Sequence, residues 1–93
     1  MWARVARFES DPGEIDGRLA RLRERLERGG PMEGMEGAKF LLLVDRETGR
    51  MMNLALFESE EAMQRGDAAM NAGPGNAGTR TGVEFYEVPI SIL

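Results

Sequence analysis

A chain of 93 residues with 12 basic and 16 acidic side chains carries a formal charge of −4, which offers no net attraction to nucleic acid or to an anionic membrane surface. It has no cysteine and no histidine, which excludes disulfides, thiolate metal sites, the commonest metal ligand and the usual near-neutral general base. With 42% hydrophobic and 30% charged residues the composition is globular, and a single domain over 1–93 buries only about 60–68% of its unfolded surface, so its core is thin.

The N-terminal run Met1-Trp2-Ala3-Arg4-Val5-Ala6-Arg7-Phe8 interleaves charged and apolar residues where a secretory signal would be continuously apolar. No stretch approaches the ~18 apolar residues a membrane span requires, so a cytoplasmic protein is expected. The period-two alternation of this run predicts strand 1. Asp11-Pro12-Gly13-Glu14 follows as a helix start, with an N-cap aspartate, a proline at the first helical position and a glutamate placed to close a capping box. Ile15, Leu19, Leu22 and Leu26 then recur at spacings of four, three and four, a stripe predicted to be buried on a sheet. Arg18, Arg21, Arg23, Arg25 and Arg28 mostly face elsewhere, and Glu14 with Arg18 and Glu24 with Arg28 can pair along the helix, which makes the arginines a solvated face. Gly29-Gly30-Pro31 ends helix 1.

Phe40 to Val44 and Met51 to Phe57 are apolar strand-like runs joined by Asp45-Arg46-Glu47-Thr48-Gly49, a hairpin with Gly49 free to take a positive φ. Ser59 can cap a second helix from about Glu60 to Asn71, its first turn acidic and its apolar side built from Ala62, Met63, Gly66, Ala69 and Met70. So small a face predicts looser packing than the leucine stripe of helix 1, with a cavity beside it. Gly73-Pro74-Gly75 stops that helix, and Val83 to Val88 alternates as strand 4 ahead of Pro89.

Strand, helix, strand, strand, helix, strand is the split βαβ order of ferredoxin-like α+β domains: a four-stranded antiparallel sheet, both helices on one face, strands 1 and 3 central. Strand 3 puts Met52, Leu54 and Leu56 on one face and Met51, Ala55 and Phe57 on the other. One helix layer covers only one of these faces, so the other calls for a second copy of the sheet.

Gly34-Met35-Glu36-Gly37, Leu43-Val44-Asp45-Arg46-Glu47-Thr48-Gly49 and Phe57-Glu58-Ser59-Glu60-Glu61-Ala62-Met63 together resemble the antibiotic biosynthesis monooxygenase-like proteins of the dimeric α/β-barrel superfamily. The resemblance implies a homodimer whose sheets pack face to face into a barrel, with a ligand cavity between each sheet and its helices. Members include cofactor-independent monooxygenases acting on aromatic polyketides or quinols, and haem-degrading enzymes that use an axial histidine. With no histidine here, what the resemblance implies is cofactor-independent oxygenation of a small aromatic substrate, with neither haem nor transition metal in the purified protein. The alternative is a non-enzymatic dimeric module that binds a small hydrophobic molecule. No motif assigns a catalytic role to one position; the signatures are those of a fold.

Three side chains are candidates for ligand binding. Arg4, in mid-strand 1, and Asn53, in mid-strand 3, are expected on neighbouring parallel strands, where they could polarise a carbonyl or enolate oxygen of a ligand. The competing reading pairs Arg4 with Glu84 or Glu87 across the sheet and gives Asn53 to a backbone group at the dimer interface. Tyr86, the only tyrosine, offers a phenol, or else serves at an interface with its hydroxyl in water. Trp2, Met51, Met52, Met63 and Met70 read as packing or interface residues. Gly73-Pro74-Gly75-Asn76-Ala77-Gly78 fits the G-x-G-x-x-G string but follows a helix and opens a strand, the reverse of a dinucleotide site.

Overall fold

A computed structural model describes residues 1–29, 34–72 and 78–92. The alternating N-terminal run forms β1 (Trp2–Glu9), a 3₁₀ turn over Pro12–Glu14 leads into α1 (Ile15–Gly29), and β2 (Lys39–Val44), β3 (Arg50–Phe57), α2 (Glu60–Ala72) and β4 (Thr79–Glu87) follow. The sheet order is β2-β3-β1-β4, with every neighbouring pair antiparallel, a ferredoxin-like α+β fold. The central strands β1 and β3 are therefore antiparallel, not parallel as expected for the Arg4 and Asn53 pair. A crossover from β1 to β2 keeps those two strands in one direction, and the hairpin that follows reverses β3 between them.

Local chemistry explains the connections. Asp11 Oδ1 accepts from the Gly13 amide at 2.9 Å, as an N-cap should, but the Glu14 carboxylate turns to Arg18 at 3.0 Å, so the capping box is not closed. In the hairpin, Asp45 Oδ1 accepts from the amides of Glu47 and Thr48, and Gly49 sits at φ 79°. A Cβ there would lie 1.8 Å from the Ser10 carbonyl oxygen, which locks the hairpin end against the end of β1 through glycine alone. β4 begins at Thr79, ahead of the Val83 start read from alternation, because a register shift opposite Arg7 and Phe8 skips Thr81 and breaks the period-two pattern. The glycine stop at Gly30-Pro31 and the Gly73 to Ala77 part of the glycine string lie outside the described residues.

Register sorts side chains onto two faces. Arg4 opposes Ala55 and Phe85, Ala6 opposes Asn53 and Val83, and Asn53 opposes Leu42, so these share a face with Trp2, Phe57 and Phe40. α2 lies on this face: Met63 packs with Met35, Ala55 and Phe57 in the core. A Cβ on Gly66 would lie 2.4 Å from the Phe57 ring, so only glycine lets the helix come this close. The opposite face carries Val5, Arg7, Leu41, Leu43, Met52, Leu54, Leu56, Glu84 and Tyr86. Among the described residues no helix is long and apolar enough to cross a membrane.

The two helices exchange the roles expected from their apolar faces. Cα atoms of α2 come within 8 Å of both β1 and β3, whereas none of α1 comes that near any strand. Of the stripe predicted to be buried on the sheet, Ile15 alone is sealed, Leu19 and Leu22 are half-buried, and Leu26 is 48% exposed. The small residues of α2 allow close approach and take the centre of the sheet, while the bulky leucines of α1 are left at a distance. α2, expected to pack the more loosely, is thus the helix held close to the sheet.

Candidate functional site

Arg4 is built into the floor of the helix face. It is 2% exposed, and its Nε donates to Asp67 Oδ1 at 2.8 Å, Nη1 to the Met70 sulfur at 3.3 Å and Nη2 to Asn71 Oδ1 at 3.2 Å. Arg80, from the start of β4, donates to the same Asn71 oxygen at 2.6 Å. Neither Glu84 nor Glu87 is the partner of Arg4: β4 contributes Glu84 to the opposite face, and Glu87 lies opposite Trp2 while Arg4 turns to α2. The charge of Arg4 is met from above, by α2. The last turn of α2 suits two guanidinium groups, since the carbonyl end of a helix favours cations. Asp67 and Asn71 were missed at the level of sequence and Met70 was read as packing, although a signal was there. Asp67 lies four residues after Met63 and three before Met70, on the buried stripe of α2, and a carboxylate in such a place requires a cation.

Asn53 lies on the same face, diagonal to Arg4 and between Leu42 and Ala6. It is half-buried, and its Oδ1 is shielded from solvent without a hydrogen-bond partner. A buried acceptor left open costs about 1–3 kcal/mol, and among the described residues no donor meets this one. Beside it the floor is aromatic and incompletely covered: Phe40 is 37% and Phe85 48% exposed.

Tyr86 does not join them. It opposes Ala3 on the helix-free face, where its hydroxyl donates to Glu84 Oε2 and Arg7 Nε meets Glu84 Oε1 at 2.5 Å. The Tyr86 and Arg7 hydrogen bonds hold the Glu84 carboxyl below its usual range, and the same bond to Glu84 pushes the Tyr86 phenol up. The side chain is 47% exposed, so the hydroxyl lies at the surface of the helix-free face, away from Arg4 and Asn53. Of the three candidates, the fold brings two together and sends the third to the other side of the sheet.

An open polar recess at the hairpin end is lined by Glu9, Asp11, Glu14, Arg18 and Arg50 among others; Arg18 pairs with Glu14 within it, and Arg50 with Asp45 of the hairpin turn. Among the described residues no group of three or more histidine, cysteine, aspartate or glutamate side chains is arranged to hold a metal ion.

The fold and this face define a ferredoxin-like α+β domain with a buried cation, an open acceptor and a partly bare aromatic floor under its helices. Solved structures that it is similar to include two of MhuD. The haem-degrader MhuD from Mycobacterium tuberculosis, with two haems in its active site, matches at a TM-score of 0.63 and 22% identity over 99% of each chain. An arginine-to-serine mutant of MhuD with two manganese protoporphyrins IX per active site matches at 0.63 and 21%, over 99% of this chain and 98% of that one. No family model and no curated protein sequence matches the chain. The likeness is one of fold, the fold to which the sequence resemblance pointed.

Proposed function

We propose that this protein binds a small hydroxylated aromatic molecule on the helix side of its sheet and oxygenates it without a cofactor. The single observation that carries the reading is the open Oδ1 of Asn53. A phenolic hydroxyl supplies the missing donor, and an aromatic ring supplies the apolar partner that Phe40 lacks. MhuD binds haem, but the residues here do not fit a haem iron. There is no histidine or cysteine, the one tyrosine is on the far face, and the Met70 sulfur already accepts from Arg4. We therefore derive no step through haem.

The reaction needs no external reductant. A phenol such as naphthol, with one dioxygen, gives the quinone and one water: a ring C–H becomes C=O, one oxygen atom enters the ring, the other leaves as water, and the substrate supplies all four electrons. The protein's part is to hold the ring, accept the hydroxyl hydrogen at Asn53 and exclude water, which is catalysis by position. Arg4, committed to Asp67 and Asn71, fixes the floor rather than moving a proton.

The same proposal includes a homodimer through the helix-free face, where Leu41 and Leu43 are 49% and 48% exposed next to half-buried Met52 and Leu54. A second sheet would cover this patch. Naphthol incubated with the protein, a metal chelator and isotope-labelled dioxygen tests the function. Quinone carrying one labelled oxygen, formed faster than in buffer and lost with Asn53→Leu, is expected. Binding without turnover leaves a ligand-binding module, and neither binding nor turnover overturns the reading.

A further inference from the structure

Charge does not balance where α2 ends. Two guanidinium groups meet there on one oxygen: Asn71 Oδ1 accepts from Arg4 Nη2 at 3.2 Å and from Arg80 Nη1 at 2.6 Å, which puts the two nitrogens no more than about 6 Å apart. One carboxylate serves the pair. Asp67 takes Arg4 Nε at 2.8 Å, and among the described residues no carboxylate meets Arg80. Arg80 lies opposite Phe8 on the helix side, Glu9 is on the other face with Arg7, and Glu87 is at the far end of β4. Two positive charges held this close call for negative charge between them. An aspartate at 71 would balance the pair, whereas the neutral asparagine leaves one positive charge over. With two N–H donors on its Oδ1 side, the amide turns Nδ2 away as a donor that no acceptor meets among the described residues. Asn71 and Arg80 are both exposed, while Arg4 behind them is sealed.

We propose that Arg80 and Asn71 bind a singly charged carboxylate at the end of α2, with Arg4 as the fixed positive charge behind it. The donors are the remaining N–H groups of Arg80 and the Asn71 Nδ2, and the planar guanidinium fork suits the two oxygens of a carboxylate. Single charge follows from the balance: Arg4 and Arg80 against Asp67 leave one positive charge, and the carbonyl end of α2 opposes any further negative charge. A phosphate dianion exceeds what the site can neutralise. The site is separate from the Asn53 acceptor, since Arg80 lies opposite Phe8 and Asn53 opposite Ala6, and it stands whether or not the chain oxygenates an aromatic.

Thermal melts and side-chain NMR of the full chain, in sodium acetate against sodium chloride at equal ionic strength, test this. With an affinity of about 10 mM, acetate at about 100 mM should raise the thermal midpoint of wild type by about 5 °C. The Asn71 Nδ2 and Arg80 Nε signals should shift saturably over the same range. Arg80→Gln should fold as wild type does and lose the acetate shift. The difference between these two proteins is the readout, because it cancels the general effect of a salt on the fold. Asn71→Asp supplies the missing charge from within, so its midpoint in chloride should rise by several degrees and no longer respond to acetate. Phosphate in place of acetate should give a smaller difference between wild type and Arg80→Gln. Absence of an acetate response, or an equal response in wild type and Arg80→Gln, would overturn the site. Signals that never saturate, or an Asn71→Asp variant that is no more stable than wild type and still responds to acetate, would overturn it too. A larger difference in phosphate would overturn the assignment to a singly charged carboxylate.

Discussion

Removing either partner of the Arg4 to Asp67 pair should destabilise the fold, and by unequal amounts. The guanidinium is 2% exposed while the Asp67 side chain is 27% exposed. Asp67→Ala leaves a sealed cation without its carboxylate, the situation in which breaking a buried pair costs about 3–5 kcal/mol. Arg4→Met fills the vacated space with an apolar chain and leaves a carboxylate that water still reaches, so its cost should not exceed about 3 kcal/mol. The double variant has neither stranded charge and should recover part of the loss, a coupling on the order of 1–3 kcal/mol. Urea denaturation reads this directly. A domain this small has a slope near 1 kcal/mol per molar urea, so Asp67→Ala should lower the midpoint by about 3 M or prevent folding outright. If both single variants cost under about 1 kcal/mol and add without coupling, Arg4 is not held by α2 and the account of the floor fails.

Truncation within the helices should invert the order that hydrophobicity suggests: Met63→Ala, in the core, should cost about 2–5 kcal/mol, and Leu26→Ala under about 0.5, in parallel urea melts. Tyr86 is the only tyrosine, so a spectrophotometric titration isolates it. Its phenol should ionise above the ordinary tyrosine range, and Glu84→Gln should return it toward that range. Because the folded pKa is raised, the stability this bond contributes is fully present below the unfolded tyrosine pKa and is lost as pH rises through the folded one. Leu54→Glu places a charge on the helix-free face; if the proposed dimer forms there, with each subunit burying roughly 800 Å², wild type should sediment as a dimer at micromolar concentration and the variant as an unstable or aggregating monomer.

Element order and the central place of strands 1 and 3 were legible because they rest on local chemistry: Asp11 as cap, Gly49 as turn closer, and the alternation of Met51, Asn53, Ala55 and Phe57; the antiparallel direction of β1 and β3 was not. The pairs Glu14 with Arg18 and Glu24 with Arg28 form as their spacing implies. What could not be read was the distance of each helix from the sheet. Leu19, Leu22 and Leu26 have the spacing of a core stripe, but Gly66 decides which helix sits closest, through a contact with Phe57 that periodicity does not encode. The site was half legible for the same reason. Arg4 and Asn53 could meet on one face by their mid-strand places, but that they do depends on the register of β1 with β3, the assignment of Asp67 and Asn71 to Arg4 on where α2 lands, and that of Tyr86 to Glu84 and Arg7 on the register of β4.

The central claim is that Asn53 holds an open acceptor for a ligand hydroxyl, and calorimetric titration of naphthol into wild type and Asn53→Leu tests it with the fewest assumptions. Loss of one hydrogen bond to a buried acceptor is about 1–3 kcal/mol, so the variant should bind about 5- to 150-fold more weakly. Because Asn53→Leu also removes an unsatisfied polar atom, its urea midpoint should match or exceed that of wild type. Equal naphthol affinity in the two proteins, or a variant destabilised by more than about 1 kcal/mol, would contradict the account, since Asn53 would then serve the fold and not a ligand.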